Sequence, residues 1–149
     1  MFEVSVEYSF AAGHALRGYK GKCENVHGHN YKVRVTVGGE KLNSIGLLID
    51  FSELRAALKG LAERFDHQFL NELDPFTETN PSAENLACYL GAELQRKLKD
   101  QGLRVSNVTV WETDTTSASY RPSENSSSAE NGEGKLSKGG RLSATRRKR

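Results

Sequence analysis

The sequence predicts an α+β fold, an antiparallel sheet with two helices on one face, and three observations carry that prediction. Residues 2–10 alternate apolar and polar without a break, Phe2, Val4, Val6, Tyr8 and Phe10 against Glu3, Ser5, Glu7 and Ser9. That period of two marks a half-buried strand. Two apolar stripes at helical spacing occupy the middle of the chain. Val105, Val108 and Val110 then return to a strand pattern. Strands, helix, helix, strands is the order of a sheet that layers its helices on one side.

Each element follows from local chemistry. Tyr31–Val37 reads as the second strand, and Gly38-Gly39 marks a turn. Gly46-Leu47-Leu48-Ile49 reads as a short third strand that could pair with it as a hairpin. Asp50 is placed to cap a helix, with Glu53 three residues on. Phe51, Leu54, Leu58, Leu61, Ala62 and Phe65 make residues 51–65 an amphipathic helix. Asn80-Pro81-Ser82 opens a second helix with the stripe Leu86, Leu90, Leu94 and Leu98, and Gly102 is a plausible stop. Residues 105–113 form a further strand, and 117–121 are placed to add one more.

Composition sets the outer limits. A chain of 149 residues corresponds to one domain. The opening Met1-Phe2-Glu3-Val4 has neither a basic flank nor an apolar run. No stretch approaches the roughly 18 apolar residues of a spanning helix, so a cytoplasmic location without membrane contact is expected. Cys23 and Cys88 are too few for a disulfide framework. The net charge of +2 divides unevenly: residues 121–149 hold eight Lys/Arg and three Asp/Glu, which leaves −3 for residues 1–120. The final segment is rich in Ser, Gly, Glu and Lys, poor in apolar residues, and ends Arg146-Arg147-Lys148-Arg149. It reads as a disordered basic tail, residues 121–149, appended to an acidic domain, residues 1–120. The acidic body argues against a nucleic-acid partner, although a non-catalytic zinc module binding nucleic acid through this tail is the corresponding alternative.

The chemistry concentrates on histidines. The chain has four, and His14, His27 and His29 can be read as one metal site. Residues i and i+2 of a strand share a face, so His27 and His29 project side by side, about 6–7 Å apart along the chain. A third imidazole from a neighbouring strand completes a set of three with one open position, the arrangement of a catalytic zinc. Cys23 lies four residues before His27. It can be a buried small hydrophobe, a fourth zinc ligand, or a thiol whose ionisation a nearby cation favours, supplying a base. Asp66-His67 ends the first helix, as a C-capping pair or as a carboxylate orienting an imidazole. Glu112 shares a strand face with Val108 and Val110, either as a solvated strand end or as an acceptor for adjacent N–H donors of a ligand.

These residues, taken together, resemble the 6-pyruvoyltetrahydropterin synthase family, and within it the 6-carboxytetrahydropterin synthases of queuosine biosynthesis. The likeness covers about residues 1–120. It rests on Phe10-Ala11-Ala12-Gly13-His14, the Cys-x3-His-Gly-His run at 23–29, Ile49-Asp50-Phe51, Asp66-His67 with Leu70-Asn71, Asn80-Pro81-Ser82-Ala83-Glu84-Asn85-Leu86, and Trp111-Glu112-Thr113. The resemblance implies the tunnelling fold: a four-stranded antiparallel sheet and two helices per subunit, with subunits closing into a barrel, commonly as homo-oligomeric hexamers. It implies one zinc per subunit on His14, His27 and His29, with Cys23 as catalytic base and Asp66 and His67 completing a proton-transfer triad. Glu112 would anchor the amino-pyrimidine edge of a pterin, and Ser82 would sit in a segment that reaches a neighbouring pocket. The implied lyase reaction takes 7,8-dihydroneopterin triphosphate to 6-carboxy-5,6,7,8-tetrahydropterin, acetaldehyde and triphosphate. Glu24 opens a branch, since family members with Glu at this place resemble enzymes that release 6-hydroxymethyl-7,8-dihydropterin for folate synthesis; Glu24 also reads as a solvent-facing loop carboxylate. 6-Pyruvoyltetrahydropterin is a third product. A zinc hydratase or hydrolase, in which three histidines activate water, is the alternative from another class.

Overall fold

A computed structural model describes residues 1–123. The alternation at the N-terminus continues further than expected, forming β1 (Phe2–His14). β1 pairs along its whole length with the antiparallel β2 (His27–Gly39). Helix α1 (Phe51–Ala62) follows, with the Asp50 carboxylate accepting from the Ser52 N–H at 2.7 Å. A single 3-10 turn, Glu63–Phe65, separates α1 from Asp66. Then come β3 (Gln68–Phe69), α2 (Ala83–Leu98), β4 (Arg104–Thr113) and β5 (Thr116–Tyr120). The sheet order is β3-β1-β2-β4-β5. All pairings are antiparallel except the two-residue contact of β3 with Ala12 and Gly13 of β1.

Two expectations are corrected. Gly46–Ile49 is not a strand. The Asn43 side chain accepts from the Ile45 and Leu47 N–H groups, each at 3.0 Å, and the Asn43 N–H donates to the Leu47 carbonyl. A turn closed on Asn43 takes up these backbone groups, and β2 pairs with β1 and β4. The place beside β2 is taken by β4, which pairs Val33 with Val110 and Val35 with Val108. The sheet also has five strands rather than four, because β3 adds two residues to the edge of β1.

Parity on the strands decides where the core lies. Val6, Phe10, Ala12 and His14 of β1 and Tyr31, Val33, Val35 and Val37 of β2 face the helices and are buried. Leu54, Leu58 and Leu61 of α1 and Leu86, Leu90 and Leu94 of α2 cover them. Phe10 stacks on Tyr31 with ring centroids 5.1 Å apart. His27 and His29 share the parity of Tyr31, so they stand on this same inner face. They sit at the sheet end, where the helix cover runs out and both become half-buried. Leu90→Ala, at a fully buried position, is expected to cost about 2–5 kcal/mol of stability, read as a lower urea midpoint at unchanged slope. The basic segment expected to form a disordered tail lies, beyond Ser123, outside the described residues.

Candidate metal centre

The β1–β2 hairpin builds the site. Its register sets His14 directly opposite His27 and Ala12 opposite His29, so two strands bring three imidazoles to one point. His14 Nε2 lies 3.0 Å from His27 Nε2 and 3.1 Å from His29 Nε2. The three donor atoms all fall within 4.8 Å of one another. His14 Nδ1 donates to the Pro81 carbonyl at 2.7 Å, and His27 Nδ1 donates to the Asn25 carbonyl at 2.7 Å. A ring that carries its proton on Nδ1 has a bare lone pair on Nε2. The 3.0 Å separation of His14 Nε2 from His27 Nε2 therefore brings two lone pairs together, with no proton between them. A cation relieves that repulsion, and backbone carbonyls holding the far nitrogen are the usual outer support of metal-binding histidines. Two nitrogens bound tetrahedrally to zinc at about 2.0–2.1 Å would stand roughly 3.3 Å apart, close to the separations seen. The donor set thus fits a metal ion.

Electrostatics agree. Burial pushes the pKa of His14 below its ordinary value and outweighs the opposing pull of the Pro81 carbonyl and Glu112. Burial does the same at His29, against Glu112. Both rings stay neutral, and so able to ligate, at a lower pH than a solvated imidazole. Loss of bound metal on acidification is expected to begin below the ordinary histidine range. In the metal-free protein, His14 and His29 bind protons more readily when unfolded. Their contribution to stability is therefore present above the ordinary histidine pKa and declines as pH falls below it. A metal-occupancy titration paired with thermal melts of the apoprotein checks both signs.

Glu112, at the end of β4, stands beside the cluster. Its carboxylate oxygens lie 3.9 Å from His14 Nε2 and 3.8 Å from His29 Nε2, too far for hydrogen bonds and close enough for charge attraction. It is neither a fully solvated strand end nor paired by any hydrogen bond to the cluster. Tyr31 packs its ring against His14 and His29, and its buried hydroxyl has no partner among the described residues. Burial and the Glu112 charge hold that phenol strongly in its neutral form.

Asp66 and His67 lie beyond the 3-10 turn, not at the end of the α-helix as the sequence suggests. The macrodipole of α1 therefore gives no direct support to the ring. Instead, β1 holds the pair. Asp66 Oδ1 accepts from the Ala11 N–H at 2.9 Å, and the His67 N–H donates to the Ala11 carbonyl at 2.6 Å. These bonds keep His67 at φ 56°, a left-handed conformation unusual outside glycine. His67 Nδ1 is 3.1 Å from Asp66 Oδ1, and its ring is 81% exposed. The Ala11 N–H, and secondarily His67, lower the Asp66 pKa from its ordinary value, so the carboxylate stays charged beside the imidazole. His67 and His29 line one depression of about 420 Å³ together with Ala11, Gly13, Gly28 and Asn30. Gly13 and Gly28 face each other across the two strands. A Cβ on Gly28 would meet the Ala12 carbonyl at 3.3 Å, so glycine keeps the hairpin tight here.

The remaining residues lie outside the three-histidine cluster. Cys23, half-buried, and Glu24, exposed, belong to a 3-10 turn, Lys22–Glu24. The Cys23 carbonyl accepts from the Leu16 N–H at 2.9 Å, which closes the base of the loop. Ser82 caps α2 by accepting from the Asn85 N–H. Cys88 is exposed on α2, on a position that faces away from the buried stripe.

Sequence reasoning did not single out the residues that brace this end of the hairpin. The Asn71 side chain both accepts from the Ala15 N–H and donates to the Ala15 carbonyl, at 2.9 and 2.8 Å. The Asn80 side chain treats Arg17 in the same two-way fashion. Both asparagines sit in the blocks that carried the resemblance, which is the signal that could have found them. Only their spacing from His14 hides the pairing.

A family model described as 6-pyruvoyl tetrahydropterin synthase matches residues 3–123, and the chain belongs to that family. It is an enzyme of pterin metabolism. Among its relatives, the 6-carboxy-5,6,7,8-tetrahydropterin synthase of Aquifex aeolicus is 32% identical over 158 residues, spanning 80% of this chain and 98% of that one. A protein named putative 6-carboxy-5,6,7,8-tetrahydropterin synthase from Archaeoglobus fulgidus is 36% identical over 118 residues, spanning 79% and 94%. The 6-pyruvoyl tetrahydropterin synthase structure from Caenorhabditis elegans aligns with a TM-score of 0.71 at 28% identity, covering 83% of this chain and 98% of its own. Among the described residues no helix is long and apolar enough to cross a membrane.

Proposed function

We propose that residues 1–120 form a zinc-dependent lyase that converts 7,8-dihydroneopterin triphosphate and water to 6-carboxy-5,6,7,8-tetrahydropterin, acetaldehyde and triphosphate, serving 7-deazaguanine and queuosine synthesis. The observation that carries this reading is the convergence of three imidazole Nε2 atoms beside the Glu112 carboxylate, in a chain whose relatives bear that enzyme's name. One zinc per subunit, held by His14, His27 and His29, would polarise the substrate's side-chain hydroxyls and lower their pKa.

The chain's own groups do the rest. The ring of the product is more reduced than that of the substrate, and one side-chain carbon is more oxidised. Hydrogen must therefore leave the side chain and reach the ring, which calls for a base and an acid. Cys23, as thiolate, is assigned the first proton. His67 gives or accepts the second, with Asp66 stabilising its charged form through the 3.1 Å contact. Glu112 accepts from the neighbouring N–H donors of the amino-pyrimidine edge. Ser82 Oγ, although it caps α2 as an acceptor, keeps a proton to donate to the substrate.

A homo-oligomer, in the hexameric form the family resemblance implies, is part of the same reading. β1 meets β3 only at Ala12 and Gly13 and Asp66-His67 at Ala11, so among the described residues no strand pairs with the outer edge of residues 2–10, nor with that of β5. Closing edge on edge into a barrel removes both. Glu24 is exposed and nothing among the described residues positions its side chain, so the folate-branch product is not favoured over the carboxy product.

Zinc-loaded protein incubated with 7,8-dihydroneopterin triphosphate and analysed by mass is the test. 6-Carboxy-tetrahydropterin with acetaldehyde is expected, and a Glu24→Ala chain should give the same product. A dominant hydroxymethyl- or pyruvoyl-pterin would refute the assignment.

A further inference from the structure

We propose that Lys20 and Lys22, in the loop joining the two strands of histidine ligands, form the subsite that recognises the substrate's triphosphate. This rests on the proposed pterin triphosphate substrate. That molecule has three parts to be bound. Its ring edge has Glu112, and its hydroxyls have the histidine cluster. Its polyanionic end would meet like charge at Glu112 and Asp66, the two carboxylates that stand beside the histidines.

Residues 15–26 supply the missing charge. This loop holds Arg17, Lys20 and Lys22 against Glu24 alone, a local excess of +2 within a body, residues 1–120, of −3. Its stems are His14 and His27 themselves, opposite each other in the register. The Leu16–Cys23 backbone bond closes it two residues after His14 and four before His27. The loop therefore projects from the end of the hairpin that carries the ligands. Arg17 is already committed, donating to the carbonyls of Asn71 and Phe76 at 3.2 and 2.8 Å, which ties the loop to the segment before α2. Lys20 and Lys22 are both exposed, and neither has a carboxylate partner among the described residues. Two unpaired ammonium groups on a braced loop, one of them adjacent to Cys23, fit a triphosphate that leaves during the reaction. Attraction between point charges and phosphate oxygens holds it without demanding one fixed orientation.

The test uses the full-length, zinc-loaded protein and a Lys20→Met/Lys22→Met double variant, with Lys20→Arg/Lys22→Arg as its charge-conserving partner. The probes are 7,8-dihydroneopterin triphosphate in turnover and inorganic triphosphate alone in calorimetry. The Met variant is expected to bind inorganic triphosphate about tenfold more weakly. It should raise KM for the substrate by a similar factor, with a smaller change in kcat. The Arg variant should restore both, and added salt should narrow the gap between wild type and the Met variant. Unchanged affinity for inorganic triphosphate in a Met variant that retains its metal overturns the subsite. Absence of pterin turnover in the wild type, with triphosphate binding that still depends on the two lysines, would instead remove the proposed substrate and leave the anion subsite standing.

Discussion

A His14→Ala chain is expected to lose its bound metal and, with it, all measurable pterin turnover. His14 is the hub of the cluster, since its Nε2 approaches those of both other histidines and its Nδ1 is fixed by the Pro81 carbonyl. Altering only the outer support of a metal ligand costs about 10–100-fold in affinity, and removing the ligand itself should cost more. Because His14 is 1% exposed, its removal also leaves a cavity, and lost folding could imitate lost metal. His27→Ala separates the two effects. That ring is half-buried at the sheet end, so its loss should leave the fold intact and still release the ion. The accompanying readout is thermal. Metal at a hundredfold excess over its dissociation constant stabilises a protein by about 2.7 kcal/mol, so chelator should lower the wild-type melting temperature and leave the His27→Ala value unmoved. A variant that keeps stoichiometric metal and turnover would contradict the site.

Cys23→Ala should have a different signature: turnover lost, metal retained. The cluster that could hold an ion among the described residues consists of three histidines and does not include Cys23. Its proposed task is to move a proton, and general acid–base groups contribute about 10²–10⁴-fold in rate. A drop of that size in kcat, with zinc content unchanged, is the expected outcome. A fall in zinc content of the same variant would show that the thiol ligates instead. Undiminished kcat would leave the proton transfer to another group.

How far the sequence disclosed this protein can be judged from particular residues. The long alternation of β1 and the leucine stripe of α2 were legible because a half-buried strand and a helix each impress one period on their side chains. The same period set His27 and His29 on one face. It did not reveal that this face is the core face, continuous with Tyr31 and Val33, because parity alone does not say which side the helices cover. The segment at 46–49 misled for a related reason. Its Leu-Leu-Ile run has strand composition, but Asn43 closes a local turn on it, and that competition is decided by one side chain. The two-residue β3 is too short to leave a pattern. The supports of the site were the least legible. The Pro81 carbonyl and the Asn71 and Asn80 amides act across more than 50 residues of sequence, and hydrogen bonds of that span have no periodicity. His67 was read as the end of a helix, and only the backbone bonds to Ala11 show that a strand holds it.

X-ray absorption at the zinc edge of the native protein tests the central claim most directly, because it counts the ligands and names their elements. Three imidazole nitrogens at about 2.0–2.1 Å, one further oxygen and no sulfur are predicted. A sulfur shell near 2.3 Å, or protein isolated without stoichiometric metal, would contradict the account.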